Sequence, residues 1–521
     1  MGGKKFKTSY IRLLDRQNFV PMKNTFNRRD FLKFASLLSL NLTAPQFLFR
    51  PGLAEPGTAQ NVLIVVFDAW SAANISLYGY ARQTTPELSR LVEKGTVYHQ
   101  HYANGPFTPP GTASLLTGTL PWTHRALDHS DGVADQVIDK SIFHAFDQHH
   151  CMAYSHNTLV NTILKQFLPA IDDYTPQGRL FLDSDAILYD LKDDDIAPLS
   201  WARIMNQGDD GISYSLLLSR LYDLLKKDYS EEYKSSFPRG LPNIFQDSHY
   251  ILDHGINWLQ NLLTTAPQPF LGYFHFLPPH FPYKTKVDFY DQFANDGYEP
   301  PEKPDHIFAI KRASGRINEF RRWYDEYILY VDSEFARLYR FMEQNNLLDN
   351  TWLVLTSDHG ELFERGIVGH QSPPIYQALA RIPLVIFTPG QNSRVDIHER
   401  TNAIDVLPTL TQNIRGSIPD WAEGDVLPPF ASLNPDRPIV TLRGKGIEVG
   451  KPIHKGSAML IRGNYKLIYV FGYVGDLEGG ELTELYDLED DPEELKDLAP
   501  SRPDIVDKMV QELRVNLAKT G

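Results

Sequence analysis

Short apolar runs separated by longer amphipathic stretches constrain the fold of this chain more than any other feature. The first run, residues 62–67 in NVLIVVFDAW, is too short to cross a membrane and rich in β-branched residues, as is typical of a strand buried on both faces. The segments MAYSHN, FLGYFHFL, TWLVLTSD and IPLVIFTPG have the same character. Helical patterns lie between them, such as FRRWYDEYILYVDSEFARLYRFMEQNN, whose aromatic and aliphatic residues recur at three- and four-residue steps. This alternation predicts an α/β domain with a mainly parallel sheet.

Two changes of composition divide the remainder of the chain. Residues 170–250 are acidic, polar and irregular, and we interpret them as an insertion that partly covers the functional site. Towards the C-terminus, AMLIRGNYKLIYVFGY and ELTELYDLEDDPEELKDLA predict an antiparallel sheet, followed by an amphipathic helix in DIVDKMVQELRVNLAK. We therefore expect a large α/β domain over 58–430 and a small C-terminal α+β domain over 431–521.

The N-terminal segment has the order of an export signal. In NRRDFLKFASLLSLNLTAPQFLF, Arg28 and Arg29 precede a short apolar region, and the small residues of GLAEPGTA follow it. Residues 1–57 resemble a twin-arginine signal, which implies recognition by the twin-arginine translocation machinery. The protein is then expected in the periplasm or outside the cell, tethered to the membrane if the signal stays uncleaved. An amphipathic N-terminal helix is the alternative interpretation.

Charge and cysteine content exclude several classes of site. The net charge of −14 argues against broad binding to nucleic acid or to anionic membranes. Cys151 is the single cysteine, so the chain can form no intramolecular disulfide and no cysteine-based zinc site. It follows HH in the apolar strand pattern and is predicted to be a buried core thiol. No segment after residue 60 approaches the run of about 18 apolar residues that a membrane span needs. The composition indicates no oligomeric state.

Acidic residues end two of the predicted strands. Asp68 follows IVVF, and Asp358 with His359 follows LVLTS. In a parallel sheet, ligands bind beyond the carboxyl ends of the strands, so these side chains are expected at one edge. A strand-end aspartate can also be a helix N-cap. Two such acids beside an imidazole are better explained as the ligands of a divalent metal ion.

Six stretches of the chain, from about residue 60 to the C-terminus, match one family in their order. They are FDAWSAANISLYGYARQTTPELSRL, TPPGTASLLTG, HFLPPHFPY, TSDHGE, GHQSPPIYQALARIPLVIFTPG and LIRGNYKLIY with ELYDLEDDPEE. With these stretches the chain resembles the sulfatase family of the alkaline phosphatase superfamily. The resemblance implies an alkaline-phosphatase-like α/β sandwich with a mainly parallel central sheet and a smaller C-terminal domain with an antiparallel sheet. It also implies an ester-hydrolysing metal site at the strand ends.

The chain departs from sulfatases proper at the nucleophile. Sulfatases carry Cys or Ser in a pattern like C-x-P-S-R and oxidise it to formylglycine, whereas TPPGT aligns here and places Thr108 at that position. Threonine cannot become formylglycine, the family's Arg is replaced by Thr112, and Ala69 stands where sulfatases have a second acid. These features resemble the threonine-nucleophile branch of phosphodiesterases and phosphoryl-group transferases, in which a Ser commonly occupies the position of Gly111. We predict that Thr108 is the nucleophile; a structural turn residue is the alternative.

The resemblance also implies the metal chemistry. One divalent ion would be held by Asp68, Asp358, His359 and the Thr108 oxygen, where it would favour the alkoxide and polarise an ester oxygen. This ligand set suits Mn²⁺ or Zn²⁺ better than an all-oxygen Ca²⁺ site, although the family uses Ca²⁺ widely. A helix expected after Pro110 would direct its N-terminal N–H groups at a small anionic ester substrate.

Three further histidines receive different interpretations. His280 in PPHFPY and His370 in GIVGHQ match family positions that contact the ester oxygens or protonate the leaving group. Imidazoles titrate near neutral pH and suit this work, while a structural hydrogen-bonding role is the alternative for each. His275 lies within the strand pattern FLGYFHFL itself, and we predict that its side chain packs in the core.

Polar residues outside these motifs carry weaker signals. Asn157, with His156, ends the MAYS strand and is expected either to line the site or to cap a loop. Arg365 and Arg381 are basic candidates that we interpret as solvated surface residues. The tract DLEDDPEE does not have the spacing of a calcium loop.

The leading functional hypothesis is an exported, metal-dependent hydrolase that cleaves phosphate or phosphonate mono- or diesters through Thr108. Three alternatives stay open at this point. A phosphoryl-group transferase shares the first half-reaction, but such relatives usually have several membrane helices before the catalytic domain. A sulfuric ester hydrolase would normally need Cys or Ser at the nucleophile. A catalytically silent homologue would use the same pocket to hold an anionic ligand.

Overall fold

The computed structural model describes residues 60–129, 131–182, 229–244, 248–309, 316–446 and 450–519. The predicted signal at residues 1–57 lies outside the described residues, as does most of the predicted insertion at 170–250. The residues considered below all belong to one compact unit.

Strands and helices alternate along the described chain. The strands are β1 (Asn61–Phe67), β2 (Thr96–Tyr102), β3 (His150–Ser155), β4 (Asp173–Thr175), β5 (Phe270–Phe276), β6 (Thr351–Thr356), β7 (Leu362–Glu364), β8 (Ile367–Gly369), β9 (Leu384–Phe387), β10 (Val395–Asn402), β11 (Ile439–Gly444), β12 (Gly456–Arg462), β13 (Tyr465–Phe471) and β14 (Leu482–Asp487). The α-helices are α1 (Pro86–Leu91), α2 (Thr108–Thr117), α3 (Pro121–His124), α4 (Ile142–Ala145), α5 (Thr158–Gln166), α6 (Tyr229–Glu232), α7 (Leu252–Leu263), α8 (Ile317–Gln344), α9 (Gln377–Ala380), α10 (Val406–Arg415) and α11 (Pro503–Leu517).

The large sheet confirms the predicted α/β fold. Its strand order within the described residues is β10-β2-β9-β6-β1-β5-β3-β4. The central strand β1 runs parallel to β5 and β6, while β9 runs antiparallel to both β2 and β6. All five predicted apolar runs contain strands of this sheet. The strands β2 (TVYHQHY) and β10 (VDIHERTN) were missed because polar residues interrupt their apolar character.

Helices cover both faces of the large sheet, as the continuous apolar strands require. In β1, Leu63 and Val65 point towards α7 and α8, and Val62 and Ile64 point towards α2, α5 and α10. The alternation of side chains along a strand therefore places one apolar layer on each face. This arrangement leaves the carboxyl ends of β1, β5 and β6 at one edge.

The C-terminal part has the predicted antiparallel sheet. Its strand order in the described residues is β11-β12-β13-β14, and α11 packs against it through Val506, Met509 and Leu513. The acidic tract DLEDDPEE ends at Glu494, which is buried and pairs with the buried Lys466 of β13. The tract thus supplies a structural ion pair. The domain boundary near residue 430 stays a prediction.

Two further sequence features can be placed in the structure. Among the described helices, none has both the length and the apolar character that a bilayer crossing requires. Cys151 lies in β3 as a buried thiol, and burial raises its pKa to about 12. The prediction of a buried core thiol is confirmed, and a thiol that stays protonated is a poor nucleophile.

Candidate active site

The strand register brings the two predicted strand-end aspartates side by side. β1 and β6 are parallel neighbours in which Val66 lies opposite Thr356, so the chain leaves both strands at the same height. Asp68 and Asp358 each follow two residues later. The next residue, Ala69, has a positive φ of 59°, a conformation uncommon for a non-glycine residue, and its N–H donates to Asp358 Oδ1 at 3.2 Å. The strained turn after β1 therefore also orients the second carboxylate.

One oxygen of each aspartate is satisfied and the other is not. Asp68 Oδ2 accepts hydrogen bonds from Asn157 Nδ2 at 2.6 Å and from His275 Nε2 at 3.1 Å. Asp358 Oδ1 also accepts from the backbone N–H of His359 at 3.0 Å. Asp68 Oδ1 and Asp358 Oδ2 are buried and have no hydrogen-bond partner within the described structure. Such orphaned charged atoms in a protein interior call for a compensating ligand.

His359 directs a lone pair at the same two orphaned oxygens. Its Nδ1 donates to the carbonyl of Gly360 at 2.8 Å, which leaves Nε2 without a proton. Nε2 lies 3.5 Å from Asp68 Oδ1 and 3.6 Å from Asp358 Oδ2. Burial lowers the pKa of His359, so the ring stays neutral. Three electron-pair donors thus face one another with no proton between them.

These three residues fit a divalent cation. Ligand atoms of Asp68, Asp358 and His359 all lie within 4.8 Å of one another, and the three side chains are fully or almost fully buried. Burial, and then the charge of Asp68, raise the pKa of Asp358, which reports the repulsion between the two carboxylates. A cation would remove that repulsion, and carboxylate and imidazole donors suit several divalent ions.

Thr108 also contacts this cluster. It is the first residue of α2 and is 2 % exposed. Its Oγ1 lies 3.5 Å from His359 Nε2 and accepts a hydrogen bond from Asn157 Nδ2 at 3.2 Å. The structure thus brings all four predicted metal ligands together, although they lie as far apart as residues 68 and 359 in the chain.

Comparison with known proteins agrees with this geometry. The family model described as Sulfatase matches residues 60–414. The chain belongs to the sulfatase family. As a member of that family within the alkaline phosphatase superfamily, it is an ester hydrolase.

The individual relatives have low sequence identity to this chain, but the matches cover most of its length. The multifunctional alkaline phosphatase superfamily protein PehA of Trinickia caryophylli is 24% identical over 72% of this chain and 77% of its own length. The uncharacterized sulfatase YidJ of Escherichia coli is 22% identical over 71% of this chain and 69% of its own. Among solved structures, the phosphonate monoester hydrolase of Agrobacterium radiobacter superposes with a TM-score of 0.64 at 18% identity, covering 89% of this chain and 96% of the other. This likeness confirms the predicted fold.

The start of α2 in this sulfatase-family enzyme differs from the prediction. The helix begins at Thr108 itself, not after Pro110. Pro109 and Pro110 have no N–H, and the N–H of Gly111 already donates to the carbonyl of Phe107 at 3.2 Å. The expectation of several free helical N–H groups facing an anion is therefore wrong. Among the first three residues of the helix, Thr108 alone has a backbone N–H.

The structure explains why a glycine occupies position 111, which the sequence alone did not. A Cβ at this position would lie 2.1 Å from the carbonyl oxygen of Asp358. The backbone of α2 therefore touches the loop that carries Asp358 and His359, and only glycine permits this approach. The serine common in relatives at this position would not fit here.

A pocket of about 580 Å³ opens beside Thr108 and contains both predicted catalytic histidines. The rings of His280 and His370 lie 5.0 Å apart, and His370 lies 4.5 Å from the ring of His359. His370 Nδ1 donates to Glu361 Oε1 at 3.0 Å, and His280 Nδ1 donates to the carbonyl of Phe281 at 2.6 Å. In each ring, Nε2 stays available for a substrate.

The two histidines have opposite pKa shifts. Burial lowers the pKa of His370 well below its ordinary value, and the neighbouring His280 lowers it further. Burial alone would also lower the pKa of His280, but the negative charges of Asp68 and Glu361 outweigh it and raise that pKa. A pair of titratable groups pushed apart in this way can supply an acid beside a neutral imidazole.

Two residues of the site were interpreted incompletely or wrongly from the sequence. The packing interpretation of His275 is wrong, because its Nε2 contacts Asp68 and lies 3.9 Å from Asp358 Oδ2. Its position on the strand that neighbours β1 could have indicated this. Asn157 fulfils both of its expected roles: Oδ1 caps α5 by accepting from the N–H of Leu159, and Nδ2 contacts Asp68 and Thr108.

The two arginines singled out in the sequence lie outside this cluster. Arg365 is buried, with its guanidinium 4.4 Å from the ring centre of Tyr376, so the surface interpretation is wrong for it. Arg381 is partly exposed, and its Nε donates to the carbonyl of His99 at 3.0 Å.

Replacing Asp358 by asparagine should lower the affinity for a divalent cation by at least about tenfold, since even residues that merely support metal ligands contribute that much. Thr108→Ala should lower it less, because a neutral hydroxyl is the weaker ligand. Metal content per chain, measured after dialysis against a fixed free concentration of Mn²⁺ or Zn²⁺, checks both. Equal occupancy in the wild type and Asp358→Asn would remove this acid from the metal site.

Proposed function

We propose that this sulfatase-family enzyme hydrolyses phosphate or phosphonate esters by attack of Thr108 on phosphorus. The observation that carries the proposal is the position of Thr108 Oγ1, which lies 3.5 Å from His359 Nε2 at the edge of the buried Asp68, Asp358 and His359 cluster. A threonine cannot be oxidised to formylglycine, so the chemistry of sulfatases proper has no starting residue here. The relatives named for phosphonate ester hydrolysis or for several activities favour the same assignment.

Asn157 prepares the attacking oxygen. Its Nδ2 donates to both Thr108 Oγ1 and Asp68 Oδ2, so the amide holds the hydroxyl against the metal-ligand cluster. This hydrogen bond would also stabilise negative charge on Oγ1 once the hydroxyl proton has been released to water. When bound by Asp68, Asp358, His359 and the Thr108 oxygen, a divalent cation would lower the pKa of the hydroxyl and polarise an ester oxygen.

His280 is our candidate for the general acid. Attack by Oγ1 forms an oxygen–phosphorus bond and breaks the bond to the leaving-group oxygen, which needs a proton. Its Nδ1 is committed to the Phe281 carbonyl, its ring lies in the pocket beside Thr108, and its Nε2 remains to donate that proton. His370, held neutral and oriented by Glu361, is the candidate for activating the water that later hydrolyses the Thr108–phosphoryl intermediate.

The walls of the pocket indicate where the organic part of the ester would lie. Its apolar lining residues are Leu159, Ile244, Leu277, Phe281 and Val368. Apolar walls around a small polar centre are typical of a site that buries an uncharged substituent. We therefore expect esters with an aryl or alkyl group to bind better than highly charged ones.

A substrate panel tests the proposed function. The metal-loaded full chain is offered p-nitrophenyl phosphate, bis(p-nitrophenyl) phosphate, the p-nitrophenyl ester of phenylphosphonate and p-nitrophenyl sulfate. We expect kcat/KM on at least one phosphorus ester to exceed that on the sulfate by about 10²-fold or more. This ratio corresponds to about 3 kcal/mol of additional transition-state stabilisation. Turnover of the sulfate alone would overturn the proposal.

We also propose that the chain is exported by the twin-arginine route. The proposal rests on Arg28 and Arg29 and the segment that follows them. Fractionation of cells that express the full chain should find the wild type outside the cytoplasm and the doubly substituted Arg28→Lys, Arg29→Lys chain within it. Unchanged export of that variant would contradict the proposal.

A further inference from the structure

A second cavity, of about 450 Å³, lies against the short helix α9 and shares no lining residue with the Thr108 pocket. It is lined by Gln377, the first residue of α9, and by Arg381, which directly follows the helix. Arg400 of β10 and Tyr102 of β2 line it from the large sheet. No described residue of the mechanism above belongs to this cavity.

The two arginines of this cavity have no acidic partner. Arg381 Nε donates to the carbonyl of His99 at 3.0 Å, and Arg400 Nε donates to Gln100 Oε1 at 3.1 Å. Arg400 also donates to the carbonyl of Gly463. Within the described part of the chain, neither guanidinium forms an ion pair with a carboxylate, although most of the other described arginines do.

Other charged groups at the cavity compensate only part of this positive charge. The imidazole of His99 is engaged by Asp396 at 2.6 Å. The carboxylate of Glu489, on an exposed part of the wall, accepts from the side-chain amide of Asn464. Two guanidinium groups against one exposed carboxylate favour an anionic ligand.

Gln377, which also lines the cavity, has a side-chain acceptor without a partner. Its Nε2 donates to Tyr102 Oη at 3.4 Å, while its Oε1 is buried and has no hydrogen-bond partner in the described structure. A buried acceptor without a partner is costly, so a ligand that donates a hydrogen bond there would be favoured. An anion that carries a hydroxyl could supply that donor as well as the negative charge.

We propose that this cavity is a second, non-catalytic binding site for a phosphate group. The planar guanidinium forks of Arg381 and Arg400 match the oxygens of phosphate. Hydrogen phosphate retains one P–OH at neutral pH, which can donate to Gln377 Oε1. Sulfate has the same shape but no proton at that pH, so the cavity should discriminate between the two. A hydroxyl next to an organic phosphate group could fill the same role.

The helix behind this cavity supports both loops of the candidate metal site. The carbonyl of Ala378 accepts from Ser71 Oγ at 2.6 Å and from the N–H of Glu361 at 3.1 Å. The carbonyl of Leu379 accepts from the N–H of Gly360 at 2.8 Å. A ligand that binds Gln377 and Arg381 therefore contacts the segment whose carbonyls hold the loops after β1 and β6. Binding should change turnover without blocking the substrate.

Calorimetric titration of the full chain with inorganic phosphate tests the site. The double variant Arg381→Gln, Arg400→Gln should bind one phosphate fewer per chain than the wild type, or bind it at least about tenfold more weakly, because charge-assisted hydrogen bonds are lost. Arg394→Gln is the matched control: Arg394 lies next to β10, is already paired with Asp396 and does not line the cavity. Identical titrations of the wild type and the double variant would overturn the proposal.

A second variant tests the contribution of the ligand's hydroxyl separately from that of its charge. It also provides a test if the double variant does not fold. Gln377→Leu should weaken phosphate at this site and leave sulfate unchanged, whereas the wild type should bind phosphate more tightly than sulfate. Glycerol phosphate distinguishes an organic phosphate from the free ion by its relative affinity. Equal binding of phosphate and sulfate, unaffected by Gln377→Leu, would contradict the assignment of the ligand.

Turnover at saturating substrate tests the connection through α9. Phosphate that competes in the Thr108 pocket loses its effect under that condition, whereas phosphate in the second cavity should still change kcat. This residual effect should disappear in Arg381→Gln, Arg400→Gln and persist in Arg394→Gln. A kcat that phosphate does not alter in the wild type would overturn the connection.

Discussion

Replacing Thr108 by alanine is expected to lower kcat/KM on the best phosphorus ester at least about 10³-fold, close to 4 kcal/mol of transition-state stabilisation. The substitution removes the oxygen that would attack phosphorus and leaves Asp68, Asp358 and His359 in place. Thr108→Ser keeps that oxygen and should therefore retain most of the wild-type activity. Steady-state kinetics with the substrate panel, at matched metal content, measure both.

The same helix offers a control for this experiment. Thr117 is also buried in α2, but its hydroxyl bonds to the carbonyl of Ala113 and to Thr119, away from the metal-ligand cluster. Thr117→Ala should change kcat/KM by no more than about threefold, as expected for a residue with no part in the transition state. Equal, background-level turnover in the wild type and Thr108→Ala, with metal bound, would instead identify an anion-binding homologue.

Gly111→Ala is expected to destabilise the protein and to lower kcat/KM by about 10²-fold, the usual effect of displacing a reacting group by about 1 Å. Within a helix, alanine normally stabilises relative to glycine by about 1 kcal/mol. Here the added methyl would lie 2.1 Å from the carbonyl oxygen of Asp358, so α2 or the metal loop must move. Overpacking of this kind typically costs about 1–3 kcal/mol.

Two measurements separate the parts of this prediction. Chemical denaturation gives the free energy of unfolding. Steady-state kinetics on the folded variant gives kcat/KM, which reports the effect of displacing Thr108. A Gly111→Ala chain that is as stable and as active as the wild type would show that α2 and the Asp358 loop do not touch in this way. The measured sign of the stability change thus tests the helix position independently of the proposed reaction.

The sequence indicated the α/β fold and the edge at which the site lies. Continuous apolar runs such as residues 62–67 must be buried on both faces, and this requirement is local enough to recognise. Polar residues directly after such runs, at Asp68, Asp358 and His359, then locate the edge of the sheet. The family resemblance added the position of Thr108 and the two pocket histidines.

Other parts of the site depend on contacts between distant segments. The apolar character of its strand predicts a core position for His275, yet the register of β5 against β1 directs its side chain at Asp68. Gly111 stood out as a departure from relatives, and its reason is a contact with a residue almost 250 positions later. Neither periodicity nor motif spacing contains such information.

The sequence by itself determined which segments are buried strands and which residues end them. It also determined that a threonine, Thr108, stands where the family pattern has its nucleophile. Only the tertiary structure decided that Oδ1 of Asp68, Oδ2 of Asp358 and Nε2 of His359 face one another unpaired, and that α2 begins at Thr108. The physical reason is that burial and secondary structure follow from local side-chain patterns. Which lone pairs are left without partners depends on strand register and helix packing, and these arise from the summed contacts of the whole fold.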